Sequence, residues 1–269
     1  MATDASPATS PAAPPRWPAE VRTLAVDVGG SGVKAAVLDA TGEMLTDRVR
    51  VSTPYPCPPG TLVDTIRTLT DGLPAHDRVS VGFPGLVRSG RVLETPALSR
   101  TAPEGRVDPD LAAAWAGFPL QQMLQDAFGV PLLLLNDADM QGCAVVHGKG
   151  LEFVMTLVTG CGTALFHDGH LLPHLELSHG LLGRWGTYDN ALGDAERQRL
   201  GNRKWSRRVR KAVTAFDEML HFDRLYVGGG NARHLTVDLA EAVARPVDVV
   251  SNSAGIRGGV RAWDLARPR

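Results

Sequence analysis

Glycine-rich turns and the carboxylates beside them are the residues of this chain best suited to chemistry on phosphate groups. The first turn follows a short apolar run and combines Asp27 with Gly29, Gly30, Ser31 and Gly32 before apolar residues resume. Glycines let a ligand approach bare backbone N–H groups, and an acid beside them suits a phosphate with its magnesium ion. Taken alone, the stretch is better explained as an ordinary hairpin with a glycine-rich turn.

Two further glycine turns follow apolar runs later in the chain. Their residues are Thr159, Gly160, Cys161, Gly162 and Thr163 in one, and Gly228, Gly229 and Gly230 in the other. The turn at 159–163 lies between two predicted strands, as the first turn does, which predicts two similar halves facing each other across a cleft. Neither a GxxxxGK[ST] P-loop nor a complete GxGxxG fingerprint occurs, so a nucleotide or another phosphate donor lying across several turns is the better interpretation.

Asn136 and Asp137 end a continuous apolar run at residues 130–135 and precede a predicted helix. We interpret the run as a central strand that is buried on both faces. An Asp at such a strand end is held rigidly and points into a cleft, where it can accept the proton of a sugar hydroxyl that attacks a phosphoryl group. The alternative is structural, because Asp is also a favoured helix N-cap residue.

Two more groups of polar residues give weaker signals. Glu176 and His179 are three positions apart, so on one helical turn they would face the same way and could bind a polyhydroxyl ligand; a surface Glu and His is the alternative. A predicted helix from about residue 204 carries bases on one face. These bases are Arg203, Lys204, Arg207, Arg208, Arg210 and Lys211. They form either a solvated face or a site for an anion larger than one phosphate.

Composition excludes several classes of protein. The 269 residues are 43% hydrophobic and 21% charged, as in an ordinary globular protein of one large or two modest domains. The formal net charge of -1 gives no general attraction to nucleic acid or a membrane, and no apolar run reaches the roughly 18 residues of a membrane span. Three scattered cysteines predict a cytoplasmic protein without a cysteine zinc site. The Asp168-Gly169 turn explains His167 and His170 without a metal.

The remaining pattern predicts an α/β chain behind a disordered tail at residues 1–20, which is rich in Ala, Pro, Ser and Thr. Residues 44–51 and 79–83 are predicted strands, and residues 88–117 a long irregular loop. Predicted helices cover residues 61–72, 119–128, 236–244 and 253–266.

Five segments, in this order and spacing, resemble the ROK family of sugar kinases within the actin-like ATPase superfamily. They are DVGGSGVK at 27–34, VGFPG at 81–85, NDAD at 136–139, TGCGT at 159–163 and GGG at 228–230. The resemblance covers about residues 21–265. Within the family the chain is most similar to the polyphosphate glucokinases, through residues 175–179, 187–189, 201–208 and 225–232.

The resemblance implies a two-domain actin-like ATPase (ribonuclease H-like) fold with the active site in the cleft. The domains would be residues 21–112 with 254–269, and residues 113–253. It implies a Mg²⁺-dependent transfer of a phosphoryl group from polyphosphate, ATP or both to the 6-hydroxyl of glucose, by a protein that is commonly a homodimer. An ATP-dependent kinase of another hexose or N-acetylhexosamine, and a sugar-responsive regulator without kinase activity, remain alternatives.

The resemblance also implies roles for individual residues. Asp137 would be the catalytic base, and the glucose contacts would be Asn136, Asp137, Glu176 and His179. Asp27 would orient the magnesium-bound phosphates through water. The donor phosphates would lie against Gly29, Gly30, Ser31, Gly32 and Lys34 and against Thr159, Gly160, Gly162 and Thr163, with Gly228, Gly229 and Gly230 near a nucleotide. Arg203, Lys204, Arg207 and Arg208 are candidate polyphosphate ligands.

The chain departs from the family pattern in the regions that would contact the phosphoryl donor and the sugar. The cysteine-rich zinc motif is absent, Gly180 stands where the polyphosphate-using branch has a second His, and residues 181–186 are less basic. Residues 96–99, with Ala97, offer no Asn to the sugar. These departures bear on donor choice and sugar affinity, and they leave Asp27, Asp137 and the first two turns unchanged.

Overall fold

The computed structural model describes residues 17–250 and 254–266. Most of the predicted N-terminal tail, residues 1–16, lies outside the described residues, as do residue 253 of the predicted last helix and residues 267–269 of the first predicted domain. In chain order the strands are β1 (Thr23–Gly29), β2 (Gly32–Leu38), β3 (Val49–Val51), β4 (Arg78–Phe83), β5 (Leu86–Arg88), β6 (Arg91–Glu94), β7 (Leu132–Asn136), β8 (Leu151–Leu157), β9 (Cys161–His167), β10 (His170–Leu171), β11 (Arg224–Gly228) and β12 (Val247–Val249).

Helices alternate with these strands, as the α/β pattern predicts. They are α1 (Pro59–Thr70), α2 (Pro109–Trp115), α3 (Leu120–Phe128), α4 (Asp137–Val145), α5 (Tyr188–Leu192), α6 (Asp194–Leu200), α7 (Asn202–Leu220), α8 (Ala240–Val243) and α9 (Ala254–Leu265). Single 3-10 turns occupy Leu177–His179, Gly183–Trp185 and Ala232–His234. Within residues 17–250 and 254–266, no helix is both long enough and apolar enough to cross a membrane.

The first sheet has the order β3-β2-β1-β4-β7. The antiparallel hairpin β1–β2 opens it, and β4 and β7 then lie parallel to β1. Asp27 pairs with Gly82, and Phe83 pairs with Asn136, so the carboxyl ends of three neighbouring strands meet at one edge of the sheet. The first glycine turn and the Asn136-Asp137 pair therefore lie on the same side.

The second sheet repeats this arrangement, with the order β10-β9-β8-β11-β12. Its hairpin is β8–β9, and β11 and β12 lie parallel to β8. Gly228 pairs with Thr156, so the turns after β8 and after β11 are neighbours. The predicted similarity of the two halves is confirmed in their strand topology.

Helices α4 and α9 pack against each other at very close range. A Cβ on Gly258 of α9 would overlap the carbonyl oxygen of Met140 in α4. Ser80 Oγ on β4 donates to Gly259 O at 2.5 Å and accepts from Trp263 Nε1 at 2.8 Å. Helix α4, which contacts strands of both sheets and begins at Asp137, is thereby held in a fixed position.

The interpretation of residues 130–135 as a central strand is wrong, because β7 is an edge strand of the first sheet. Its leucines are largely buried because helices cover the strand, and α3 also protects its free edge. Gln125 Oε1 accepts from Leu132 N at 3.4 Å and Gln121 Oε1 from Leu134 N at 3.2 Å. Side-chain amides thus take the place of a further strand, which protects the edge from pairing with other chains.

The prediction of an irregular loop at 88–117 is also wrong in part. The hairpin β5–β6 turns through Ser89 and Gly90, both with positive φ, and α2 begins at Pro109 behind Asp108, whose Oδ1 accepts two backbone N–H groups of the first turn. These turn and cap signals are present in the sequence. The predicted strand at 44–51 and helix at 236–244 are found only as the short elements β3 and α8.

The two sheets build separate hydrophobic cores. Leu120, Leu124 and Leu134 belong to the core of the first sheet, whereas Trp205, Val209 and Phe216 of α7 belong to that of the second. The domain boundary after residue 112 stays a prediction. The sheets themselves divide later, since α3 and β7 pack with the first sheet.

Candidate active site

Asp137 is the first residue of α4, directly after the end of β7. The N-cap is Asn136, whose Oδ1 accepts from Ala138 N at 2.8 Å while its Nδ2 donates to Gly85 O at 3.1 Å. Asp137 Oδ1 also accepts from Ala138 N, at 2.9 Å, and Oδ2 makes no hydrogen bond to any described residue. The capping role thus belongs to Asn136, and Asp137 retains an oxygen free to act as a base.

The environment of Asp137 raises the pKa of its carboxyl to about 7. Burial is the largest cause, followed by repulsion from Asp27, while the Ala138 N–H and the charge of His174 act in the opposite direction. A general base works best when its pKa lies near the working pH. Asp137 is therefore suited to accept a proton at neutral pH.

Asp27 lies at the end of β1, two strands away from Asn136 and hence roughly 10 Å from it. Its side chain is 19% exposed, and its Oδ2 lies 3.1 Å from Lys34 Nζ across the hairpin. The hairpin therefore places the carboxylate of Asp27 and the ammonium group of Lys34 together beside the first glycine turn.

A magnesium ion at Asp27 is compatible with these residues under one condition. Among residues 17–250 and 254–266, no group of three or more His, Cys, Asp or Glu could hold a metal ion. Mg²⁺ in phosphoryl-transfer enzymes commonly takes one or two carboxylates and completes its shell with water and substrate phosphates. Asp27 fits that pattern, provided that the phosphate donor supplies the other ligands.

A buried histidine links helix α4 to the segment that carries Glu176, and no sequence pattern predicted it. His174 Nδ1 lies 3.0 Å from Asp139 Oδ1 on α4, and its Nε2 lies 3.6 Å from Glu176 Oε1. The His174 side chain is only 4% exposed, and Arg88 donates to its backbone oxygen at 3.0 Å. No local motif marks this residue, since its partners are brought to it by the fold.

His174 carries a positive charge at neutral pH. Burial alone would lower its pKa, but the contacts with Asp139 and Glu176 outweigh that effect and raise the pKa to about 10. Burial alone would raise the pKa of Glu176, but the contacts with His174 and the charge of His179 bring this pKa below its ordinary value. Burial raises the pKa of Asp139, while its contact with the positive His174 acts in the opposite direction. Asp139, His174 and Glu176 thus form a coupled acid–base cluster beside Asp137.

Glu176 and His179 lie together, as their spacing predicts. Glu176 precedes the 3-10 turn Leu177–His179, and its Oε2 lies 3.8 Å from His179 Nε2. Both remain partly open to solvent, and Thr163 Oγ1 donates to Leu175 O at 3.3 Å, which fixes the segment against β9. The pair offers an acceptor and a donor next to the Asp139–His174 contact.

The three glycine turns use glycine for different reasons. In the first, Thr53 Oγ1 donates to Gly29 O at 2.5 Å and Tyr55 OH donates to Gly30 O at 2.7 Å, so side chains occupy the carbonyl groups of the turn. A Cβ on Gly30 would make only ordinary contacts, the nearest with Tyr55 Oη at 3.6 Å. Packing therefore does not require glycine at position 30, whereas a Cβ on Gly32 would lie only 3.1 Å from Val51 O.

The second turn packs against the start of α4. A Cβ on Gly162 would lie 2.5 Å from Thr156 Oγ1 and 3.0 Å from Ala138 Cβ, next to Asp137. Neither Gly160 nor Gly162 has a positive φ, so close approach rather than backbone conformation requires these glycines. One amide of this turn is already bonded, since Cys161 N donates to Asp189 Oδ1 at 2.8 Å.

The third turn is joined to the second. Gly229 has a φ of 85°, and a Cβ there would overlap the backbone of Leu157. Asn231 N donates to Leu157 O at 2.9 Å, and its Nδ2 donates to Val158 O at 2.8 Å. The predicted phosphate turns at 159–163 and 228–230 are therefore adjacent.

The predicted basic face lies on α7, with one exception. Arg203, Lys204 and Arg207 are exposed, as are Arg210 and Lys211 further along the same side. Arg208 is only 10% exposed and donates to Glu196 Oε2 at 2.6 Å. Arg208 therefore stabilises the contact between α6 and α7 and does not belong to the open basic face.

The sequence matches the profile of the ROK family over residues 23–188. The chain is 31% identical over 249 residues to the polyphosphate glucokinase of Mycobacterium tuberculosis (strain CDC 1551 / Oshkosh), which covers 88% of this chain and 89% of that protein. The chain belongs to the ROK family. It is also 27% identical over 274 residues to the N-acetylmannosamine kinase of Salmonella typhi, covering 91% and 89%.

Solved ROK structures share this fold. The inorganic polyphosphate/ATP-glucomannokinase of Arthrobacter sp. strain KM superposes with a TM-score of 0.73 at 26% identity, over 91% of this chain and 98% of that one. The predicted actin-like ATPase fold and the predicted relationship to polyphosphate glucokinases are confirmed. In this ROK chain a series of contacts from Asp139 to His174, from His174 to Glu176 and from Glu176 to His179 links the start of α4 to the predicted Glu176–His179 pair.

Proposed function

We propose that this ROK family member is a sugar kinase that transfers a phosphoryl group to the 6-hydroxyl of glucose. The observation that supports it best is the position of Asp137. Its carboxyl, with a pKa near 7, lies at the start of α4, where the second glycine turn packs on Ala138 and Asp139 contacts His174. A base near both a phosphate turn and a polar pair is what transfer to a hydroxyl requires.

In this proposal each group has one task. Asn136, Glu176 and His179 bind the sugar hydroxyl groups and orient the reacting one toward Asp137. Oδ2 of Asp137 accepts the proton as the hydroxyl oxygen bonds to the terminal phosphorus. The bond from that phosphorus to the bridging oxygen of the donor breaks, and the rest of the donor leaves as ADP or as polyphosphate shortened by one unit. The turns at 29–32 and 159–163 bind the donor phosphates through backbone N–H groups, and most of the acceleration comes from positioning and charge stabilisation.

Magnesium fits the proposal at Asp27. When bound there, the ion neutralises charge on the donor phosphates. Lys34, at 3.1 Å from Asp27, restrains this carboxylate and adds a positive charge next to the first turn.

The proposal includes two candidate phosphoryl donors, polyphosphate and ATP. The exposed bases of α7 and the names of the mycobacterial and Arthrobacter relatives favour polyphosphate. The residues that come just after the third glycine turn line a cavity of about 320 Å³. The lining comes from the Ala232–His234 turn, α8 and β12 and includes Ala232, Leu239 and Val247. This cavity favours a nucleoside next to the third turn.

A coupled assay of the pure protein tests the function directly. Glucose, mannose, N-acetylmannosamine and N-acetylglucosamine are each offered with ATP or polyphosphate in the presence of Mg²⁺. We expect glucose 6-phosphate from at least one donor. Formation of no sugar phosphate, together with specific binding to DNA, would favour the regulator alternative, and turnover of an N-acetyl sugar alone would replace glucose as substrate.

The exposed face of α7 should matter only for a long donor. Arg203 and Arg207 are one helical turn apart, with Arg210 a further turn along the same side. Replacing Arg203 and Arg207 together by Ser should raise the KM for long-chain polyphosphate about 5–10-fold, because two exposed charge contacts are lost. Steady-state kinetics at low and high salt measure the effect.

The matched control for this double variant is Arg67→Ser, an exposed arginine on α1 in the other half of the chain. Its KM for polyphosphate should be unchanged. The KM for ATP and for glucose should be unchanged in both proteins. An equal rise in the KM for ATP, or no rise for polyphosphate, would contradict a polyphosphate site on α7.

A further inference from the structure

Asp189 places a carboxylate inside the second glycine turn. Its Oδ1 accepts from Cys161 N at 2.8 Å, and this amide belongs to the turn at 159–163 that the proposed function assigns to the donor phosphates. The carboxylate lies so close to Gly160 that a Cβ on that residue would overlap Oδ1. The bare backbone of the turn is thus already in contact with an anion of the protein itself.

This contact is not part of the ordinary capping of α5. The N-cap of α5 is Thr187, whose Oγ1 accepts from Asn190 N at 3.2 Å. The Asp189 side chain instead leaves its own helix and reaches a residue 28 positions earlier. The backbone reinforces the approach, since Asp194 N donates to Thr159 O at 3.1 Å. Helices α5 and α6 therefore cover the turn as one unit.

A carboxylate and a phosphate oxygen compete for such an amide. Both are anions that accept charge-assisted hydrogen bonds from backbone N–H groups, and two like charges at one amide repel each other. A donor phosphate can use the Cys161 amide only after the Asp189 carboxylate has moved away. The turn remains open enough for this exchange, because Thr159 is exposed and Gly160 and Asp189 are partly exposed.

We propose that Asp189 excludes free phosphate from the second glycine turn by occupying its anion position, from which a donor with several linked phosphates must displace it. The proposal rests on the proposed function and deepens it. A donor with several linked phosphates can displace the carboxylate because its other phosphates are held elsewhere in the cleft. A single phosphate ion has no such support and is excluded, which limits occupation of the turn by free phosphate.

The test compares binding and turnover in three variants. Asp189→Ala removes both the charge and the acceptor, and Asp189→Asn removes the charge but keeps an acceptor. Asp126→Asn is the control, because it removes one exposed carboxylate from α3 in the other half of the chain and leaves the Cys161 contact intact. Tripolyphosphate and inorganic phosphate, each with Mg²⁺, are titrated by calorimetry, and the KM for ATP, polyphosphate and glucose is measured.

We expect Asp189→Ala to bind tripolyphosphate about tenfold more tightly and to gain measurable affinity for inorganic phosphate, with Asp189→Asn intermediate. The KM for glucose and all constants of Asp126→Asn should stay within about twofold. Unchanged or weaker binding of tripolyphosphate in both folded Asp189 variants overturns the proposal, as does an absence of binding in every protein. Tighter binding without sugar phosphorylation in any of them would support the donor site and reject the kinase.

Discussion

Asp137→Asn is expected to lower kcat by at least about 100-fold while the protein remains folded, because a positioned general base typically contributes 10²–10⁴-fold. An amide has nearly the same shape and can still accept the Ala138 N–H, so the start of α4 should be preserved. It cannot take the proton of the sugar hydroxyl. Steady-state kinetics with glucose, together with circular dichroism, measure both parts of this expectation.

The pH dependence of the wild type should reveal the same residue. The base is active when ionised, and the pKa of Asp137 in the free protein lies at about 7, so kcat/KM for glucose should rise with pH through about 7 and then level off. An ordinary Asp would already be ionised near pH 4 and would give a flat profile above pH 5. The residual activity of Asp137→Asn should not show this rise.

Stability should change with pH in the opposite direction. The folded protein holds the Asp137 proton more tightly than the unfolded chain, because the pKa is raised from 3.8 to about 7. The group therefore destabilises the fold progressively as pH rises from about 4 to about 7. Asp137→Asn has no titrating carboxyl at this position. The free energy of unfolding of the variant should therefore increase relative to that of the wild type as pH rises across this window. A parallel course of the two curves, or retained activity, would remove Asp137 from the proposed role.

Residue types next to one another in the sequence were sufficient to predict much of this molecule. Both hairpins with glycine turns, the polar end of β7 and the apolar stripe of α7 follow from local periodicity and strand-end chemistry. Asn136 and Asp137 are found where they were expected, and Glu176 and His179 do approach each other. Local signals predict local geometry well, since they act within one element or one turn.

Contacts between distant segments could not be predicted in this way. Asp139 and His174 are separated by 35 positions, and Cys161 and Asp189 by 28, so no spacing rule connects either pair. The edge position of β7 depends on Gln121 and Gln125 of α3, which take the place of a neighbouring strand. In each case a buried or bonded polar group is satisfied by a partner that only the tertiary fold supplies.

His174→Leu is expected to cost about 3–5 kcal/mol of stability at neutral pH, because removing one partner of a buried ion pair leaves the other charge uncompensated. Asp139 is the group left behind, with its side chain only 4% exposed. Leucine fills similar space but offers no charge and no donor. Chemical denaturation at pH 7 measures the loss.

The matched control is His179→Leu, which removes the other histidine in contact with Glu176. His179 is half-exposed and lies 3.8 Å from Glu176, so its loss should cost well under about 1 kcal/mol of stability. It should instead raise the KM for glucose, if the proposed sugar contact is correct. Equal stabilities of the two variants would show that the buried cluster has no special weight.

The pH dependence of stability distinguishes a charged His174 from one that merely fills space. Its pKa is raised to about 10 from an ordinary 6.5, so its stabilising contribution is complete below about 6.5 and is lost as pH rises toward 10. The free energy of unfolding of the wild type should fall across that window, and His174→Leu should lack this fall.

The same substitution should also alter catalysis through Asp137. The charge of His174 lowers the pKa of Asp137, whereas the charges of Asp27 and Asp139 raise it, so a neutral residue at 174 leaves their repulsion without an opposing positive charge. The rise of kcat/KM with pH should then move above 7. If it stays at 7 while stability falls, the His174 cluster supports the fold alone; a shift links the buried ion pair to the strength of the base.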